Sequence, residues 1–257
     1  MTEIGIEVTP QKTSSGMHGL SAAFCMVLLL TSSTYLSHAT PIAPDKPKSD
    51  DSVSEARCTY RSYQWSTRLK RAVNRVKVNK SRAELTAEER DPQFPQCTVC
   101  QEDQETIQVK SLPSVTICKH FAPHVREALT QLASSYQDNP NAFRVISLVG
   151  YRVGKTRGRL HRGLRMDFSN HSYGTAIDIN ASHNGLYRPC TPQRLLSFKD
   201  ISPCKLRHGG HWQPKKKPQL SISRESKVYE YFTRFWKWGG ERKDRVRDFM
   251  HFSPTGL

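Results

Sequence analysis

Acidic residues and long hydrophobic runs are both scarce in this chain. Twenty-three aspartates and glutamates stand against 39 lysines and arginines, which leaves a net charge of +16 over 257 residues. An excess of this size favours anionic partners such as nucleic acid, acidic lipid or a cell-wall polymer, without choosing among them. Helix-turn-helix, zinc-finger and RNA-binding signatures are missing, so no nucleic-acid partner is expected. Internal repeats and collagen-like or prion-like tracts are missing too, which sets aside solenoid and fibrous architectures. A hydrophobic content of 36% and a mean hydropathy of −0.63 describe a soluble protein with a modest core.

The apolar run from Leu20 to Leu30 is short. Ser37-His38-Ala39 comes after it and offers small residues at the spacing a signal peptidase reads. Gly19 to Tyr35 is near the lower limit of about 17 residues for a membrane span, so an uncleaved anchor competes with a signal peptide. Either reading exports the remainder of the chain. Thr40–Asp51, with Pro41, Pro44 and Pro47, reads as a linker. Setting aside Cys25 in the apolar run leaves Cys58, Cys97, Cys100, Cys118, Cys190 and Cys204, an even number that suits disulfides in an exported chain. Cys190 and Cys204 flank one loop and are the favoured local pair. Cys97-x-x-Cys100 with Cys118 and His120 is the alternative, a structural zinc site.

Two short stretches carry the chemistry. Residues 169–178 read Ser-Asn-His-Ser-Tyr-Gly-Thr-Ala-Ile-Asp, and Asp248-Phe249-Met250-His251-Phe252 lies near the other end of the chain. Together they supply two imidazoles and two carboxylates, which suit a mononuclear zinc site with its own general base. A catalytic zinc takes three protein ligands and keeps a fourth position open. His171, Asp178 and His251 fill the three, and Asp248 is left to move protons. Thr175–Asn180 alternates small or polar with apolar residues, the period of a half-buried strand. Asp178 then faces the site while Ile177 and Ile179 face the core. His171 lies seven residues earlier and cannot share that straight face, so the chain must bend between them, and Gly174 suits the bend. Met250 and Phe252 point one way and His251 the other. Asp248, at an odd offset from His251, must precede the regular strand or lie on its distorted end. His120, His124, His161, His183, His208 and His211 show no such pattern and read as surface or loop residues.

The pattern S-x-H-x-x-G-x-A-x-D, with a carboxylate-x-x-His downstream, resembles the D-alanyl-D-alanine carboxypeptidase family of zinc peptidases. That group includes VanY- and VanX-type enzymes and phage endolysins that cut L-alanyl-D-glutamate bonds. Ser169, His171, Gly174, Ala176 and Asp178 match all five fixed positions, and the likeness spans roughly residues 120–257. It implies a Zn2+-dependent peptidase acting on peptidoglycan stem peptides, with a hedgehog/D-Ala-D-Ala peptidase-like fold. The family places an arginine after a tyrosine where this chain has Tyr151-Arg152, which implies that Arg152 binds substrate or the developing oxyanion; Val153 replaces the usual serine. Trp236-Lys237-Trp238-Gly239-Gly240 resembles the family's aromatic-glycine turn, but Arg242 stands where a tryptophan is common. A zinc-containing wall-binding module without turnover is the alternative, and the intact Asp248 argues against it.

The expected organisation is a signal peptide or anchor over 1–39, a linker over 40–57, a basic cysteine-containing region over 58–118 and the zinc peptidase domain over 119–257. An α+β fold is expected, with a small antiparallel sheet and flanking helices. Pro123–Tyr136 reads as a helix through Val125, Leu129, Leu132, Ala133 and Tyr136. Glu225–Lys237 reads likewise through Tyr229, Phe232 and Trp236. Phe143–Val149 reads as a strand, Tyr60–Val78 and Ala83–Arg90 carry helix signals, and Lys155–Arg165 reads as a basic loop. The expected location is the periplasm or cell envelope.

Overall fold

The computed structural model describes residues 56–139, 141–190, 204–242 and 244–257. The apolar run and the proline linker lie outside these residues. Among the described residues, no helix is long and apolar enough to cross a membrane.

In chain order the strands are β1 (Arg57–Ser66), β2 (Arg71–Ser81), β3 (Gln104–Ile107) and β4 (Val115–Cys118). The helix α1 (Ala122–Asp138) comes next, then β5 (Leu148–Val149), β6 (Lys155–His161), β7 (Leu164–Phe168), β8 (Ile177–Ile179), β9 (Leu186–Tyr187) and β10 (Leu206–His208). The short helix α2 (Lys227–Phe232) leads into β11 (Lys237–Trp238), β12 (Arg247–Asp248) and β13 (His251–Ser253). The fold is α+β, but among the described residues the strands form four small sheets where one was expected: β2-β1-β6-β7, β10-β9-β12, β11-β13-β8-β5 and β3-β4.

Helix α1 forms where the apolar spacing and Pro123 near its start predict it. It buries Val125, Ala128, Leu129 and Leu132. The Glu225–Lys237 expectation holds only for its middle, because α2 ends at Phe232. Phe232 is buried against Phe252 and Trp236. Trp212 stacks on Phe249, with ring centroids 4.0 Å apart, and Trp238 Nε1 donates to Phe249 O at 2.8 Å. Phe232 and Trp238 both lie against Phe252, so these rings back β13.

Four local expectations fail for identifiable reasons. Tyr60–Val78 is not helical. Arg57–Ser81 is an antiparallel hairpin whose Cys58 and Tyr60 are buried while Arg57 and Arg61 are exposed, a period of two. Ala83–Arg90 yields two 3-10 turns, Arg82–Glu84 and Ala87–Glu89, each closed by a capping box. The Phe143–Val149 strand shrinks to Leu148–Val149, because Asn180 Oδ1 accepts the Ile146 and Ser147 N–H groups at 2.8 and 3.2 Å. A side chain thus takes donors that a ladder would have used. The basic Lys155–Arg165 loop is the β6–β7 hairpin, turning at Arg162 and Gly163, both at positive φ.

The cysteines pair as Cys58–Cys100, Cys97–Cys118 and Cys190–Cys204. The favoured local pair is therefore present. The structural zinc alternative fails, since Cys97, Cys100 and Cys118 are all consumed by disulfides. Persistent disulfides belong to an oxidising compartment, as export supplies. The expected boundary between 118 and 119 falls inside a compact unit, Asp51–Leu257. The reason is visible in the contacts: Thr175 Oγ1 donates to Asp91 at 2.7 Å, and Tyr173 OH donates to Glu88 O at 2.8 Å. Replacing Cys190 and Cys204 by serine should lower unfolding free energy by about 3 kcal/mol, the chain-entropy worth of a loop this long. Denaturant titration measures it, and an unchanged midpoint would show that the staple is dispensable.

Candidate metal centre

The site is assembled by strand register. In the β13–β8 pair, His251 lies directly opposite Asp178 and Phe252 opposite Ile177. Directly opposed residues point to the same face, so one face carries the imidazole and carboxylate while Phe252 and Ile177 are buried behind it. His171 comes from the 3-10 turn Asn170–Tyr173, which ends at Gly174 in the left-handed region at φ 67°. A Cβ there would lie 2.5 Å from Cys118 N, so glycine is required by both conformation and space. The anticipated bend is therefore real.

His171 Nε2 lies 3.2 Å from Asp178 Oδ2, and His251 Nδ1 lies 3.0 Å from Asp178 Oδ1. Donor atoms of all three residues fall within 4.8 Å of one another. Two donors on one tetrahedral zinc are separated by roughly 3.3 Å, from bonds of about 2.0–2.1 Å, so this spacing fits a single ion. Among the described residues, the other compact group of potential donors, Cys58, Cys100 and Glu102, has its sulfurs in a disulfide.

Each imidazole has its far nitrogen engaged. His171 Nδ1 is 2.8 Å from Gly150 O, and His251 Nε2 is 2.7 Å from Leu257 O. Donation to these oxygens is the arrangement a metal would require, since it would make His171 Nε2 and His251 Nδ1, the nitrogens nearest Asp178, the ligating ones. Asn170 Nδ2 in turn donates to Leu257 O at 3.0 Å and to Thr255 Oγ1 at 3.1 Å. Asn170, an unfixed position of the first motif, thereby steadies the tail that orients His251. Asn170→Ala should weaken zinc binding by roughly 10–100-fold. Competition with a chromophoric chelator reads this directly, and an unaltered affinity would detach the tail from the site.

Asp248 sits on β12, a strand paired with β9 and separate from β13, so the odd offset to His251 is absorbed between the two strands. Gly239, in the aromatic-glycine turn, allows this approach: a Cβ there would lie 2.6 Å from Asp248 O and 3.3 Å from His251 Cβ. Burial, opposed by His251 and reinforced by the like charge of Asp178, pushes the Asp248 carboxyl up to about 6. Its Oδ1 is buried without a hydrogen-bond partner among the described residues. Burial raises Asp178 as well, but attraction and hydrogen bonds from His171 and His251 outweigh it and hold that carboxyl well below its usual range. Burial lowers His251 against the pull of Asp178, which favours the neutral imidazole a metal requires.

Arg152 lies just after β5, and its backbone N–H donates to His171 O at 2.9 Å. Its Nη2 is 3.8 Å from Asp178 Oδ2, and its Nη1 donates to Tyr63 OH at 3.1 Å. Tyr63 belongs to β1, and nothing local in the sequence points to it. Arg157 was also missed, hidden in the stretch read as a basic loop. Burial lowers its pKa, while Asp248 and Asp178 pull it back up, so its charge bears on the site. Arg242 is paired with Asp244. Of the six histidines read as surface or loop residues, five are exposed and His183 is partly buried.

The described residues thus gather two histidines and one aspartate at one point, with a second aspartate whose charge they feel. Residues 162–254 match the family model described as D-alanyl-D-alanine carboxypeptidase. The match spans 93 of the 257 residues and contains His171, Asp178, Asp248 and His251, whereas Arg152 lies before it. Searches of curated proteins and of solved structures found no match.

Proposed function

We propose that this chain is an exported zinc peptidase of the cell envelope, with a hedgehog/D-Ala-D-Ala peptidase-like catalytic fold. Its substrates would be peptidoglycan stem peptides, cut as a D-Ala-D-Ala carboxypeptidase or an L-Ala-D-Glu type endopeptidase. The observation that carries this reading is the register of His251 against Asp178 with His171 beside them, next to the half-buried Asp248, whose buried Oδ1 has no partner among the described residues. His171 Nε2, the Asp178 carboxylate and His251 Nδ1 would hold the ion. When bound, zinc supplies a Lewis acid for the scissile carbonyl and an acidified water as nucleophile.

The protein's own groups do the rest. Asp248 accepts a proton as water attacks and returns it to the leaving amine, and the burial that raises its carboxyl suits it to both transfers at neutral pH. Arg152, already steered by Tyr63, presents a planar guanidinium to the oxyanion or to the terminal carboxylate of the substrate. Incubating the protein with peptidoglycan fragments, with and without chelator, and weighing the products tests the reading. Chelator-sensitive release of D-alanine or of a cut stem peptide is expected. Intact fragments bound without turnover would leave a wall-binding module instead.

A further inference from the structure

The surplus of positive charge is concentrated. Residues 57–82 contain nine lysines and arginines and no acid, and residues 155–165 contain five and no acid. Both stretches lie in the β2-β1-β6-β7 sheet, and their hairpin tips are joined: Thr67 N and Oγ1 both donate to Gly163 O, at 2.8 and 3.0 Å. Leu69 at one tip is 49% exposed, and Leu160 beside the other is 55% exposed. Trp65, on β1 just before the first tip, is 38% exposed. Among the described residues no carboxylate lies within ion-pair distance of Arg68, Lys70, Arg71 or Arg162, whereas Arg159 is engaged by Asp167 and Glu88.

We propose that the paired tips are a docking edge for the surface of an anionic lipid bilayer. Leu69, Leu160 and Trp65 would enter the interfacial layer, and Arg68, Lys70, Arg71 and Arg162 would meet lipid phosphates. Charge alone would suit any polyanion, but two aliphatic side chains held in water at adjacent tips call for an apolar phase as well. Basic residues around tryptophan and leucine are the composition of an interfacial anchor. The tips are also tied to each other by the two hydrogen bonds from Thr67 to Gly163 O, so less order is lost on docking. Tyr63, which touches Arg152, lies four to six residues before Thr67 and Leu69, or roughly 13–20 Å along an extended strand. Docking would therefore hold the His171–Asp178–His251 group close to the bilayer. The inference does not depend on the peptidase reading.

The test is hydrogen exchange on the full chain with vesicles of mixed phosphatidylglycerol and phosphatidylcholine, against phosphatidylcholine alone. Segments 65–71 and 159–165 should exchange more slowly on the anionic vesicles only, and the protection should fade at high salt. Leu69→Ser with Leu160→Ser, both at exposed positions, should lower partitioning by about tenfold per leucine. Each of Arg68→Ser and Arg162→Ser should lower it by about fivefold. Tips that stay unprotected on bound vesicles would overturn the proposal and assign binding to another segment. Equal protection by duplex DNA or polyphosphate, insensitive to the leucine changes, would also overturn it, leaving a general polyanion site.

Discussion

Asp248→Asn retains zinc and the native fold but turns over stem-peptide substrate about 10²–10⁴-fold more slowly, the usual contribution of a general acid–base group. The amide keeps the shape of the carboxyl and cannot accept the proton. Asp248 lies on its own strand, β12, outside the compact group formed by His171, Asp178 and His251, so metal binding should not need it. The same residue sets the acid side of the pH profile. Burial raises the Asp248 carboxyl to about 6 in the metal-free protein, and a bound cation can only lower it. The base works deprotonated, so activity is full above its pKa and falls as pH drops through it. The acid limb of kcat/KM should therefore lie at or below about pH 6. Comparable turnover in the Asn variant would remove Asp248 as the base. Loss of zinc together with activity would make it a ligand.

His251→Ala and His171→Ala lose zinc, and turnover falls to the level of the chelated protein. Removing a group that only orients a ligand costs roughly 10–100-fold in affinity, so deleting a ligand outright should exceed that. In both variants Asp178 keeps one imidazole, at 3.2 or 3.0 Å, and stays within reach of Arg152. Its desolvation is thus only partly uncompensated, and the variants should fold with a loss of about 1–3 kcal/mol. Zinc content by elemental analysis, set beside a thermal melt, separates metal loss from unfolding. Wild-type zinc content in either variant would refute the ligand assignment.

How far apart the deciding residues lie determines which features were legible in the sequence. Ile177–Ile179 could be read as a strand because its alternation is local, and the bend at Gly174 came from an odd spacing on one stretch of chain. The direct opposition of His251 and Asp178 could not be read, because register joins segments more than seventy residues apart. The hairpin Arg57–Ser81 was hidden by its composition: lysines and arginines outnumber its buried residues and blur the period of two, and a bulge between Ser62 and Gln64 breaks the alternation. In Phe143–Ser147 the β-branched residues were a true signal that Asn180 overrode by capturing the backbone donors. Arg152 was found through its neighbour Tyr151, but its partner Tyr63 lies 89 positions away and has no local mark.

The contacts of residues 56–118 with the site define how small the protein can be made. Cys118 N donates to Gly174 O at 3.0 Å, beneath the turn that carries His171, and Cys118 is itself tied to Cys97. Tyr63 holds Arg152, and Asp91 holds Thr175. A fragment trimmed to the family match would begin at residue 162 and keep both histidines, yet leave the first of them on an unbuttressed turn. The shortest piece worth expressing starts near Ala56, and it needs a host compartment that oxidises thiols.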